Sequence, residues 1–199
     1  MKEDKIPTVD NFEKVKDLLS FGSEDEFYFV QIIKRKKENH ELGSNSHIVK
    51  FYYIKRVEDL DKEKEEMIML ATYHNARVCI NLNKRSFERT AFHTLKKITD
   101  QILNRDYKSA RKAYNSVCGM HAGEIDKTWL VDIDEKGRQA NEVLKAIDNI
   151  QPIGNKLIAI LPTKNGVHLI TRPFNLQDFK TAYPNIEVHK NNPTIVFIP

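Results

Sequence analysis

The sequence predicts a mixed α/β protein of the α+β kind that ends in a βαββαβ unit running from Lys127 to Pro199. Three observations carry this. Trp129 to Ile133, Lys156 to Leu161 and Val167 to Thr171 are short runs of branched and aromatic side chains. Apolar stripes at helical spacing alternate with those runs, and Asn165-Gly166 stands between two of them as a hairpin turn.

From the N-terminal side, Val15, Leu18 and Leu19 follow a cap at Asp10 or Asn11 and predict a short helix that ends near Gly22. Phe27 to Lys34 and Ile48 to Ile54 predict a β-hairpin, with Asn39 to Ser46 around Gly43 as its loop. Val57 to His74 is highly charged, with Leu60, Met67, Leu70 and Ala71 as its apolar positions, the pattern of a helix packed on a surface. Arg77 to Leu82 predicts a strand. Ser86 then opens a helix whose Phe87, Ala91, Leu95, Ile98 and Ile102 form one apolar stripe. Lys108 to Val117 predicts a further helix stopped by Gly119, and Met120 to Asp126 a connection.

In the C-terminal unit, Ala140, Val143, Leu144 and Ile147 give the first helix one buried stripe. Asn175 caps a second helix carrying Leu176 and Phe179, and Thr194 to Ile198 is expected to close the unit as its last strand. That order is the split-βαβ, ferredoxin-like arrangement, in which helices cover one sheet face and the other is free for ligands or another layer. With no repeat and no low-complexity linker, an N-terminal α/β module over 1–126 is expected to pack on the unit over 127–199 as one body.

Composition narrows the function classes. A hydrophobic share of 40% suits a packed core, and no apolar run reaches the length of a membrane span. The start lacks the apolar segment of a secretory leader, so the expectation is a cytoplasmic protein with no membrane partner. Cys79 and Cys118 cannot make a disulfide framework and are expected to be reduced. The formal net charge of +4 permits a polyanion partner without requiring one. Lys34-Arg35-Lys36-Lys37 reads as a solvated hairpin tip, with phosphate contact as the alternative. Arg85, Arg89, Lys96 and Lys97 give one helix a basic outer side, either solvated or touching nucleic acid. Cys118-Gly-Met-His121 offers one thiol and one imidazole, short of a structural zinc set even with His74 and Cys79.

The chemistry-bearing residues gather on one sheet face. Side chains alternate across a strand, so Asp132 and Asp134 share the face opposite Val131 and Ile133, with α-carbons roughly 6.5 to 7 Å apart. Carboxylates at that spacing converge on one or two divalent ions, although Asp134 also suits a helix cap and Asp132 a solvated position. If Val167 and Leu169 face the helices, His168, Ile170 and Arg172 join the aspartates. Adjacent central strands bring His168 close to Asp132. Acids for a metal beside His168 and Arg172 for triphosphate oxygens suit nucleotide chemistry, and Lys164 and Lys127 can add phosphate contacts.

Leu130-Val-Asp-Ile-Asp134 resembles the first motif of the archaeo-eukaryotic-type primase (primase-polymerase) superfamily, a hydrophobic run ending in Asp-x-Asp. Thr163-Lys-Asn-Gly-Val-His168 resembles the second, a small residue and then histidine on a strand. The resemblance covers about the last 120 residues and implies an RRM-like catalytic core with an N-terminal α/β module. It implies Mg2+ or Mn2+ at Asp132 and Asp134, the incoming nucleotide at His168, and a nucleic-acid template with replication proteins as partners. The second motif has Gly166 where the family has serine. No aspartate follows Asp178 to supply the third motif, and Glu187 is the nearest acid for the metal.

The first functional expectation is therefore a primase-like nucleotidyltransferase that uses nucleoside triphosphates on a single-stranded template. A non-catalytic nucleic-acid-binding or protein-docking module of the same fold is the second, and a metal-dependent nuclease using the same acids the third. Val167 to Thr171 carries no aromatic side chain, which argues against base stacking of the ordinary RRM kind.

Overall fold

A computed structural model describes residues 8–43, 45–120, 127–134 and 138–199. The chain runs β1 (Val9–Asp10), α1 (Phe12–Lys16), β2 (Glu26–Lys34), β3 (His47–Ile54), α2 (Val57–His74), β4 (Arg77–Ser86), α3 (Phe87–Leu103), α4 (Tyr107–Ala110) and α5 (Ala113–Met120). It continues through β5 (Trp129–Ile133), α6 (Arg138–Asn149), β6 (Leu157–Pro162), β7 (Val167–Thr171), α7 (Leu176–Ala182), β8 (Glu187–His189) and β9 (Thr194–Ile198). The predicted α+β class is the class observed. His121 and most of the connection around it, the segment before Thr8, and Ser44 within the hairpin loop lie outside the described residues.

Local chemistry sets the element boundaries. The Asp59 carboxylate accepts the backbone N–H groups of Lys55 and Arg56 at the start of α2, and Asn75 closes that helix in the left-handed region at φ 48°. Ser86 Oγ accepts from the Arg89 N–H, which opens α3 where the sequence places its cap. The Asn175 side chain does the same for α7 by accepting from Gln177 and Asp178. At α6, the buried Lys156 ammonium donates to the Ile147 carbonyl at 2.8 Å, a second partner beside the Ile150 N–H for an acceptor in the helix's last turn.

Two antiparallel sheets result. The first has the order β1-β9-β4-β2-β3 and the second the order β6-β7-β5-β8. The predicted hairpin is present, with Tyr28 opposite Ile54 and Gln31 opposite Phe51. The second sheet has the strand order of a split βαβ unit, with α6 and α7 packed through Val143, Ile147 and Phe179 onto Val131, Ile133 and Leu169. Its other face is not open. Leu130, Leu161 and Ile170 join Val30, Ile80, Val196 and Met67 in one core beneath the first sheet.

Two expectations are corrected, and a third element turns out to be exposed. Thr194–Ile198 does not close the C-terminal unit; it runs between β1 and β4 in the first sheet, and the short polar β8 takes its place beside β5. Every residue of β9 is buried, as suits a strand covered on both faces, so its apolar run marks a central position in the larger sheet. The stripe on α3 is not covered: the helix buries only Thr90, and Leu95 and Ile102 are exposed. Arg85 does not lie on the outside of that helix either. It is buried in β4, where it donates to the Cys118 and Asn83 carbonyls and to Asn191 Oδ1. The two cysteines are free and buried, as expected of a reduced pair.

Candidate functional site

The register of the second sheet builds the site. On β7, β5 and β8 the residues His168, Asp132 and Glu187 stand directly opposite one another, and paired residues of an antiparallel sheet point to the same face. Asp132 is therefore flanked on one side by an imidazole and on the other by a carboxylate. His168 Nε2 lies 3.5 Å from Asp132 Oδ1, with the Asp132 side chain 37% exposed. Glu187 is in turn 3.1 Å from His189 Nε2.

His168 lies where the two sheets meet. Its Nδ1 is 2.8 Å from Thr194 Oγ1 on β9. Burial, with help from nearby His189 and Arg77, pushes the imidazole down to about 4, so it is neutral at physiological pH. That corrects the sequence expectation of a cationic histidine. The Asp132 carboxyl moves the other way. Burial raises it, the neighbouring charges of Asp134 and Glu187 add to the rise, and His189 and Arg35 oppose it.

Asp134 follows the last residue of β5 and is exposed. Its position depends on Gly166. The turn from β6 to β7 is closed by the Thr163 N–H to the Gly166 carbonyl at 2.9 Å and the Gly166 N–H to Thr163 Oγ1 at 3.0 Å. This turn presses on the end of β5 so closely that a Cβ at Gly166 would meet the Ile133 carbonyl oxygen at 1.8 Å. Serine, which the primase motif has at this position, does not fit this backbone.

A cavity of about 280 Å3 is lined by Lys37, Glu38, His40, Asn75, Arg77, Lys164 and the end of β9. Arg77 is held by Glu38 through two guanidinium–carboxylate contacts, one of them 2.9 Å from Nε. Among the described residues Lys37 and Lys164 have no ion pair, so their ammonium groups are available to an anion. Arg77 borders this cavity, and its charge is also felt at His168.

The structure thus brings together Asp132, His168 and Glu187, keeps Asp134 at the end of the same strand, and places Lys164 on the cavity with Lys37 and Arg77. Arg172 is elsewhere. It follows β7 at the far end, four residues and about 13 Å along the strand from His168, and is exposed. Lys127, the other lysine expected near phosphate, is exposed before β5 at that same far end.

No protein-family model, curated protein or solved structure matches this chain. The site is therefore read from its own geometry. Among the described residues no three His, Cys, Asp or Glu side chains lie close enough together to hold a metal by themselves. One or two carboxylates are nevertheless what Mg2+ takes from a protein when waters and substrate phosphates complete its shell. A carboxyl raised by burial and by two acidic neighbours also fits a place that gains from a cation.

Sequence reasoning missed His189, Thr194 and Arg77. His189 was legible, since Glu187 and His189 are two apart on one strand and must share a face. Thr194 and Arg77 were not, because only the packing of one sheet on the other brings them near His168.

Proposed function

We propose that this chain is a primase-like nucleotidyltransferase that joins nucleoside triphosphates on a nucleic-acid template with Mg2+ or Mn2+. The observation that carries the reading is the cross-strand row of His168, Asp132 and Glu187, and it is supported by a cavity whose Lys37 and Lys164 have no ion pair among the described residues. Asp132 and Glu187, with Asp134 nearby, are the residues to hold the ion. Such an ion would supply charge neutralisation at the transferring phosphorus and a more acidic 3′-hydroxyl. Lys37 and Lys164 are placed to bind phosphate oxygens as point charges, and Arg77, fixed by Glu38, to orient them. His168, being neutral, can position Asp132 and donate a hydrogen bond, but it does not bring a positive charge.

Glu187 offers the acid that the motif resemblance lacks after Asp178. It reaches Asp132 from the opposite strand edge to His168. Incubation with a primed and an unprimed labelled single strand, each nucleoside triphosphate and Mn2+ tests the reading. Extension that Asp132→Asn abolishes supports it. Shortening of the strand instead points to a nuclease, and binding alone to a module without chemistry. The last of these is favoured by one observation, the tie between His168 and Thr194, which also suits a purely architectural histidine.

A further inference from the structure

Helix α3 is a 17-residue element that buries one residue, Thr90. It packs along α5 on one side, while Phe92, Leu95, Ile102 and Leu103 are 50% to 75% exposed, with Tyr107 of α4 beside them at 65%. Scattered exposed apolar residues need no explanation, but five on one stretch of helical surface form a patch of the kind that marks an interaction site. Their spacing is informative. Phe92, Leu95, Thr99 and Ile102 follow the 3-4-3 step of a seam between two helices.

Charge identifies the occupant. Between Phe87 and Lys112 the chain has seven Lys or Arg against three Asp or Glu, a local +4, so the remaining residues sum to zero against the whole-chain +4. The segment that carries the apolar face is thus itself cationic. A second copy of the chain would set two such surfaces against each other, with like charges opposed across the seam. Nucleic acid would meet the cations but would leave Leu95, Ile102 and Leu103 against phosphate and water, because aliphatic side chains offer no stacking platform. We propose that this face docks an amphipathic helix of a partner protein whose apolar side is flanked by Asp and Glu. The apolar seam gives the binding and the acidic flanks give the choice of partner.

The probes are two synthetic helical peptides with the same leucine seam, one flanked by glutamate and the other by lysine, followed by fluorescence anisotropy with the full chain. The glutamate peptide is expected to bind at least about tenfold more tightly than the lysine peptide, and to weaken as salt rises. Leu95→Gln with Ile102→Gln should weaken it by about tenfold or more. Their melting temperature should stay that of the wild type, because both side chains are exposed and glutamine keeps helix propensity. Equal binding of the two peptides, or none at about 100 μM, overturns the proposal. A wild-type dimer in sedimentation that the double variant disperses overturns it in favour of a second copy. Loss of single-strand binding in the double variant overturns it in favour of nucleic acid.

Discussion

His168 Nδ1 and Thr194 Oγ1 share a 2.8 Å hydrogen bond that joins β7 of the second sheet to β9 of the first. The other ring nitrogen faces an Asp132 oxygen at 3.5 Å, and a proton held on Nε2 toward that carboxylate leaves Nδ1 to accept from the Thr194 hydroxyl. Strand β9 thereby holds the ring of a residue in the candidate site. Thr194→Val keeps the shape and removes that donor. It should cost about 1 to 3 kcal/mol, the price of a buried acceptor left unsatisfied, read as a shifted urea midpoint at unchanged slope.

The depressed ionisation of His168 fixes the sign of an acid effect. The folded value of about 4 lies below the ordinary 6.5, so between those pH values the unfolded chain binds a proton that the folded chain refuses. Stability is full above pH 6.5 and falls as pH drops toward 4, by about 3 kcal/mol at most from this residue. The raised Asp132 carboxyl works in the opposite direction, gaining stability as it protonates, and partly masks the loss. Urea unfolding in EDTA at pH 7 and pH 5 is expected to show the decrease for the wild type and a smaller one for His168→Gln. Identical decreases in both would remove His168 as its source.

Gly166 is a second point where backbone geometry governs the site. Its Cβ in Gly166→Ala would overlap the Ile133 carbonyl oxygen and approach the Asp134 carbonyl carbon at 2.8 Å, both backbone atoms. Neither can swing away like a side chain tip. The variant should lose at least about 2 kcal/mol of stability and, if metal binds, weaken Mn2+ by displacing Asp134. A fully stable variant with wild-type Mn2+ affinity would show that the end of β5 is freer than this.

Gly166 also shows how far the sequence could be read. Asn165-Gly166 announces the turn correctly, but what demands glycine is the approach of β5, a contact between segments more than thirty positions apart. The parity of Asp132 and His168 was legible because alternation along a strand is local, and their pairing followed from the order of elements. Which strand closes the second sheet was not legible. Thr194–Ile198 has the stronger strand pattern, yet β8, with an exposed Glu187, takes the place because β9 buries more by entering the first sheet. The apolar stripe of α3 was legible as periodicity but its exposure was not, since periodicity reports a face and not its partner.

The raised carboxyl of Asp132 implies a trade between stability and function. Burial and two acidic neighbours disfavour its charged form, so Asp132→Asn should raise the melting temperature of the metal-free protein. Millimolar Mn2+ should raise that of the wild type and leave the variant nearly unmoved. The readout is thermal unfolding in EDTA and in Mn2+. A variant less stable than the wild type in EDTA would mean that the contact with His168 outweighs the repulsion.

The cavity lysines separate binding from chemistry. Lys37 and Lys164 come from different sheets, one after β2 and one in the turn before β7, and each ammonium is free of an ion pair among the described residues. Substituting either with alanine leaves the packing of the row untouched, because both side chains are exposed. If the cavity holds the phosphates of an incoming nucleotide, Lys37→Ala and Lys164→Ala should each raise KM for the triphosphate, by about tenfold, with kcat nearly unchanged. The double variant should lose more than either alone, and rising salt should shrink the difference from wild type, as expected for point charges near the surface. Asp132→Asn should do the reverse, lowering kcat at saturating nucleotide. A pair of lysine variants with wild-type KM would detach this cavity from the reaction and leave the row of His168, Asp132 and Glu187 to bind its substrate from another side.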